Sequence, residues 1–320
     1  MSDKHPLQGG AEAARRTHNP EVAGSTPAPA SESTFDAHGQ LRPGIYPDVD
    51  FDTYARWPAA NHSLLKHFRK TPAHARWQET HQEESTGPQA LGHLIHMALL
   101  EPDRWAAEGP VVAPDVDRRT KIGKATWEAF VRKAGPRPVV TQGDMEILRG
   151  IQSSAARHAT AKEALYGGGL NELSIIWQDP ETGVLCKGRI DRLTQLGPRP
   201  FVIDLKTTHK AASTFAWQGQ VESYALHEQA AHYLRGLSVL MPLPGQLRRG
   251  YAWLVAETEP PYLVRMFEAE DAALEIGNDL VVGYLKSYAE CLRTGLWPGW
   301  PEGMEIAGLP PWVYKRFQIE

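Results

Sequence analysis

Cysteine is nearly missing from this chain: of 320 residues only Cys186 and Cys291 are cysteines. Two thiols so far apart do not make a Cys-rich zinc or iron–sulfur centre. Cys186 lies in a strand-like run and reads as a small core residue. No apolar run approaches the roughly 18 residues that span a bilayer, and the opening MSDKHPLQGG lacks the apolar stretch of a secretory leader. The expectation is a cytoplasmic protein of a bacterium or phage-infected cell, with no membrane partner. A surplus of positive charge is lacking too, since the net charge is −4. That disfavours a protein coating nucleic acid indiscriminately, but leaves room for basic residues confined to one groove beside an acidic site. There is no G-x-x-x-x-G-K-[ST] loop to cradle the phosphates of an ATPase, no H-E-x-x-H zinc helix, and no internal repeat.

What is present is a normal core-forming composition, 42% hydrophobic and 22% charged, enough for one large domain or two modest ones. Residues 1–45 are rich in Ala, Pro, Ser, Thr and Gly and are expected to be disordered, because they cannot bury enough surface to offset their ordering entropy. The ordered domain is expected over 46–320. Helices are expected at 61–71 behind an Asn61 or Ser63 cap, 89–100, around Trp127 and Phe130, and 143–166. The pattern then changes to three strands at 172–177, 184–196 and 201–206, joined by turns at 179–183 and 197–200, an antiparallel meander. A helix over 213–235, strands at 249–257 and 262–268, and a long helix over 270–295 complete an α/β (α+β) chain. The Trp- and Pro-rich end should pack irregularly on the body.

The chemistry concentrates in the segments CKGRID (186–191) and FVIDLKTT (201–208). With a period of two, Val202, Asp204 and Lys206 share one side of a strand, opposite Phe201, Ile203 and Leu205. Lys187, Arg189 and Asp191 share a side of the strand before. If the strands pair across the 197–200 turn, Asp191 and Asp204 can meet. Two neighbouring carboxylates repel, and each tends to hold a proton; a hard divalent cation with oxygen ligands, Mg²⁺ or its substitute Mn²⁺, removes the conflict. Lys206 would orient water or stabilise transition-state charge. A bare D-x-K is more commonly a cross-strand ion pair. That reading weakens here because the flanking apolar runs point to a sheet covered on both faces. Arg118, Arg119, Lys121 and Lys124 form a basic cluster suited to phosphate contacts, or else a solvated loop. Lys187 and Arg189, beside Asp191, are candidates to grip a phosphate.

In this order the motifs resemble the exonuclease domain of exodeoxyribonuclease VIII (RecE) and its phage relatives, within the PD-(D/E)xK, RecB-like superfamily. The resemblance runs from about Asn61 to the C-terminus. It rests on Ser63-Leu64-Leu65-Lys66, Thr71-Pro72-Ala73-His74, the LGHLIH run to His96 followed by Glu101-Pro102, DRRTK at 117–121, the two-strand core, Gln229 to Tyr233, and the Trp-Pro end. It implies a restriction-endonuclease-like core, a central mixed sheet flanked by helices.

The resemblance implies Asp191 at the first acidic position, with Ile190 where many members have Pro, and Asp204-Leu205-Lys206 as the (D/E)xK triplet. It implies His96 and the carbonyl of Leu205 as further metal ligands beside Asp191 and Asp204. Glu172, where relatives also carry an acid, could reach a second metal or the attacking water; a capping or solvent-facing role is the alternative. Without the resemblance His96 would read as a buried core histidine. Gln229 and Tyr233 match the Q-x-x-x-Y helix motif, and their i,i+4 spacing puts them on one helical face. The activity implied is a Mg²⁺-dependent exonuclease on linear double-stranded DNA ends, 5′→3′, leaving 3′ strands for recombination. The partners implied are DNA, a single-strand annealing protein and further copies of the chain in a closed ring. A RecB-like endonuclease or single-strand nuclease, and a non-enzymatic nuclease-like DNA-binding module, remain the alternatives.

Overall fold

The computed structural model describes residues 34–36, 38–81 and 87–317. Strand β1 (Gly44–Tyr46) precedes α1 (Phe51–Arg56), whose cap Asp50 accepts the Thr53 N–H. Asn61 accepts the Leu64 N–H to start α2 (His62–Leu65), which tightens into a 3-10 turn over Lys66–Arg69. Pro72 then opens α3 (Pro72–Thr80), since proline's missing N–H costs nothing in a first turn. Helix α4 (Gly87–Leu100) gives way at Glu101 to α5 (Pro102–Glu108). Strands β2 (Val111–Val112) and β3 (Val139–Val140) pair in parallel around α6 (Lys121–Ala134). Thr141 and Asp144 form a capping box for α7 (Gln142–Arg157). Helix α8 (Ala159–Tyr166) restarts at His158, whose Nδ1 accepts the Ala161 N–H, so the single helix expected over 143–166 is two.

The expected meander is present as β4 (Gly169–Gln178), β5 (Leu185–Leu196) and β6 (Arg199–Thr208). The helix expected over 213–235 splits into α9 (Thr214–Ser223) and α10 (Leu226–Leu240), because Ala225 adopts a left-handed φ of 58°. Strands β7 (Gly250–Glu257) and β8 (Val264–Glu268), the long α11 (Asp271–Thr294) and the short α12 (Pro311–Arg316) follow.

Six strands form one mixed sheet in the order β1-β4-β5-β6-β7-β8, with only the β6–β7 pair parallel. That parallel pair needs a crossover, which α9 and α10 supply. One face packs Trp177, Ile190, Val202 and Tyr251 against Leu65 of α2, Leu237 of α10 and Leu285 of α11. The other packs Ile203, Leu205 and Leu254 against Ile95 of α4, Leu148 of α7 and Leu165 of α8. The chain therefore has the central mixed sheet flanked by helices that its sequence implied. No helix among the described residues is long and apolar enough to cross a membrane.

Among the described residues, packing on the body extends upstream of residue 46. Leu41 is buried beside Tyr54, Trp57 and Ile176, and β1 pairs antiparallel with β4. Leu41 and Ile45 are among the few large apolar groups in a stretch whose average composition hid them. Residues 1–33 lie outside the described residues.

Candidate active site

The alternation of β4 and β5 breaks at one place in each strand. Leu170 and Leu173 both pack on the first core, as do Ile190 and Leu193, although residues three apart on a regular strand face opposite ways. The breaks fall at Glu172, held at a left-handed φ of 49°, and at Asp191. The β5–β6 ladder, which runs in from the 197–198 turn, has Arg192 opposite Ile203 as its last pair before the site. Asp191 and Asp204 would pair next and do not. Instead the Asp191 side chain takes over: its Oδ2 accepts the Leu205 N–H at 2.7 Å.

Helix α4 brings His96 over this break. His96 Nε2 is 3.1 Å from the Leu205 carbonyl, and Nδ1 is 3.6 Å from Asp191 Oδ2 and 4.0 Å from Glu172 Oε1. With Nε2–H donating to that carbonyl, Nδ1 faces the two carboxylates. Burial alone would lower the His96 pKa, but Asp191 and Glu172 override it and hold the ring above the ordinary histidine value. Burial pushes Asp191 up to about 6, aided by Asp204 and opposed by His96 and Lys206. Glu172 moves the other way: burial would raise it, but the nearby His96 ring and the hydrogen bond from Arg189 hold it below the usual carboxylate range.

Asp204 points elsewhere. It lies on the Val202 side of β6, is almost wholly buried, and meets Lys206 Nζ at 2.5 Å. Burial would lower Lys206, but Asp204 and Asp191 hold it above the ordinary lysine value. Asp204 Oδ2 is paired with that ammonium, whereas Oδ1 is buried with no hydrogen-bond partner, a costly condition for a buried polar atom. Tyr233 stands near Asp204 from α10, and its hydroxyl accepts from Gln229 at 3.2 Å. Gly188 lets that helix approach: a Cβ there would sit 3.0 Å from the Tyr233 ring.

Among the described residues, His96, Glu172 and Asp191 form the group able to hold a metal ion, with one ligand atom of each within 4.8 Å of the others. One imidazole, two carboxylates and the nearby Leu205 carbonyl are a donor set suited to a hard or borderline divalent cation. The unpartnered Asp204 Oδ1 and the raised pKa of Asp191 are what a site short of positive charge would show. The residues therefore fit such a cation. The expected set of His96, Asp191, Asp204 and Leu205 is only partly gathered, since Glu172 takes the place of Asp204, whose carboxylate turns to Lys206.

Two candidates for phosphate contact are corrected. Lys187 is 4% exposed, and its Nζ donates to the carbonyls of Tyr54, Ala55 and Trp57 at 3.0, 2.8 and 2.8 Å. It caps the C-terminal end of α1, and burial pushes its pKa down to about 8. Arg189 is equally committed: Nε donates to Glu172 Oε2 at 2.8 Å, and Nη1 to the Val49 carbonyl at 2.6 Å and Ser174 Oγ at 3.0 Å. The alternation that puts both on Asp191's side of β5 also aims them under α1. Arg118, Arg119, Lys121 and Lys124 are exposed. The Arg118 guanidinium stacks 4.6 Å over the Trp127 ring, and Arg119 pairs with Asp117.

A buried charge pair escaped the sequence reading. Glu228, fully buried on α10, binds Arg69 Nε at 2.7 Å and faces His62 Nε2 at 3.9 Å. The one hint was an acid among the buried positions of α10.

A family model described as a PDDEXK-like domain of unknown function (DUF3799) matches residues 61–309. A crystal structure from Eubacterium rectale, described as a putative exonuclease, matches with a TM-score of 0.50 and 10% identity, over 84% of this chain and 98% of that one. At that identity the likeness shows the fold. The structure of SSO0001, at 13% identity over 59% of this chain and 84% of that one, has a TM-score of 0.25 and carries no argument. No curated protein matches the sequence.

Proposed function

The chain belongs to the PDDEXK-like family described as a domain of unknown function (DUF3799), and on that premise we propose that it is a divalent-cation-dependent nuclease hydrolysing phosphodiester bonds of DNA. The observation that carries the reading is the convergence of His96, Glu172 and Asp191 within 4.8 Å, next to the Asp204–Lys206 pair. A divalent cation bound there supplies charge neutralisation at the phosphate and acidifies water.

The side chains have separable tasks. Arg189 fixes the Glu172 carboxylate, and the Leu205 carbonyl fixes the His96 ring. Lys206, paired with Asp204, carries the ammonium that would donate to a phosphate oxygen or to the attacking water. Water attacks phosphorus, the P–O bond to the neighbouring sugar breaks, and that oxygen leaves with a proton.

Within the nuclease reading, the resemblance to RecE-like enzymes favours Mg²⁺, linear double-stranded ends as substrate, 5′→3′ polarity and a recombination role beside an annealing protein. It also favours a closed ring. Trp297 packs on its own subunit against Phe68 and Tyr288, whereas Trp312 is 67% exposed and is the better candidate for a contact between copies. Light scattering tests the ring. The cleavage reading is tested with end-labelled linear duplex and covalently closed circles, each with and without Mg²⁺. Loss of the linear form alone, and only with Mg²⁺, supports an exonuclease. Cutting of the circle supports the endonuclease alternative, and no cutting of either form contradicts the proposal.

A further inference from the structure

Phe51 leads α1 with its ring 56% exposed. It meets the exposed His93 edge-on, with ring centroids 6.2 Å apart and planes at 63°. His93 precedes His96 by one turn of α4, and residues three apart on a helix are surface neighbours. The aromatic pair therefore stands beside the His96, Glu172 and Asp191 group. Its position is held on both sides: Lys187 grips three carbonyls at the end of α1, and Arg189 grips the Val49 carbonyl just before its start. Tyr54, buried under the same helix, packs 6.1 Å from Phe51. The buried Lys187 and the half-buried Arg189 thus fix a helix that displays a large apolar ring to water.

Past His93 the surface opens into a cleft of about 930 Å³. Leu91, Leu94, Met97 and Ile147 line it, together with Thr207, the residue after Lys206. Among the described residues its lining has no lysine or arginine, and its acidic groups are Asp144 and Glu259. Such a surface repels phosphates and accepts flat, uncharged groups. Aromatic rings stack on any nucleobase, because every base has a π-face.

We propose that Phe51 and His93, with the cleft behind them, form a subsite for unpaired nucleobases of the strand being cut. The phosphates then run along the His96 side and the bases turn into the cleft. On this assignment the enzyme handles the terminal nucleotides unpaired even when the substrate is a duplex. The inference rests on the nuclease reading.

The test is cleavage kinetics in Mg²⁺ on linear duplexes that are intact or carry one abasic nucleotide, placed in turn at each of the first few terminal positions. Wild type is compared with Phe51→Ala and with Phe51→Ala/His93→Ala. Both side chains are exposed, so melting temperatures should not move. On the intact duplex, Phe51→Ala should raise KM about tenfold, the size expected for one lost stacking contact, with kcat little changed. At one abasic position wild type should show the same loss, and Phe51→Ala should add nothing to it. Equal effects of Phe51→Ala on intact and on every abasic substrate would overturn the subsite. So would no effect at all on naked DNA, the result expected if the rings instead receive a protein partner. A wild type that cleaves nothing would overturn the nuclease reading and the subsite together, whereas a wild type that cleaves normally and ignores Phe51 would overturn the subsite alone.

Discussion

The Asp191 carboxylate accepts the backbone N–H of Leu205 at 2.7 Å, so a side chain on one strand does the work of a strand carbonyl on the next. The ladder that would have joined Asp191 to Asp204 stops one pair short at Arg192 and Ile203. The gap admits His96 from α4, whose ring touches both the carbonyl of Leu205 and the carboxylate of Asp191.

The cation-free site should grow less stable as pH rises. Asp191 titrates near 6 in the fold against a reference of 3.8. A carboxyl with a raised folded pKa contributes stability that is full below the unfolded value and lost as pH rises through the folded one. His96, also raised, loses its contribution in the same direction. Wild type should therefore lose stability relative to Asp191→Asn between about pH 4 and pH 7, and Mg²⁺ should reverse that loss. Urea titrations of both proteins across this range, with and without Mg²⁺, check it. A difference that grows in favour of wild type without Mg²⁺ would contradict the assignment.

His96→Ala should weaken divalent-cation binding more than DNA binding. Mn²⁺ should restore more activity than Mg²⁺, because it is the softer ion and accepts imperfect ligand sets more readily. Calorimetric titration of cation into the free protein reads this without relying on turnover. An unchanged titration would return His96 to the role of a hydrogen-bonded core histidine.

Lys187→Met should cost about 3 kcal/mol of stability, because it strands three carbonyls at the end of α1. It should leave the salt dependence of DNA binding unchanged, since a residue that touches no phosphate releases no counterions. Denaturant melts and binding isotherms at several salt concentrations measure the two effects. A flatter salt slope with normal stability would restore Lys187 to the phosphate grip.

The strand meander follows from its turns. The D-x-K spacing, together with the resemblance that singles out His96, named residues that the fold brings near one another. The grouping of the ligands was not legible, because period-two reasoning assumes regular strands. The left-handed Glu172 and the missing Asp191–Asp204 pair break that assumption. The same reasoning put Lys187 and Arg189 correctly beside Asp191 but could not see that α1 covers them. A helix start was legible at Asn61, where a capping residue stands at the boundary. The boundary at Ala225 was missed, because no residue type announces a left-handed turn there.

The most direct test of the account is turnover of linear duplex DNA in Mg²⁺ by wild type and by Lys206→Met, with DNA binding and melting temperature measured on the same samples. Removing the Lys206 ammonium leaves the His96, Glu172 and Asp191 group in place. The account predicts DNA binding within a few-fold of wild type and a loss of turnover of about 10³-fold, comparable to removing a group that stabilises transition-state charge. A folded Lys206→Met protein that still degrades DNA at a rate near wild type would contradict it.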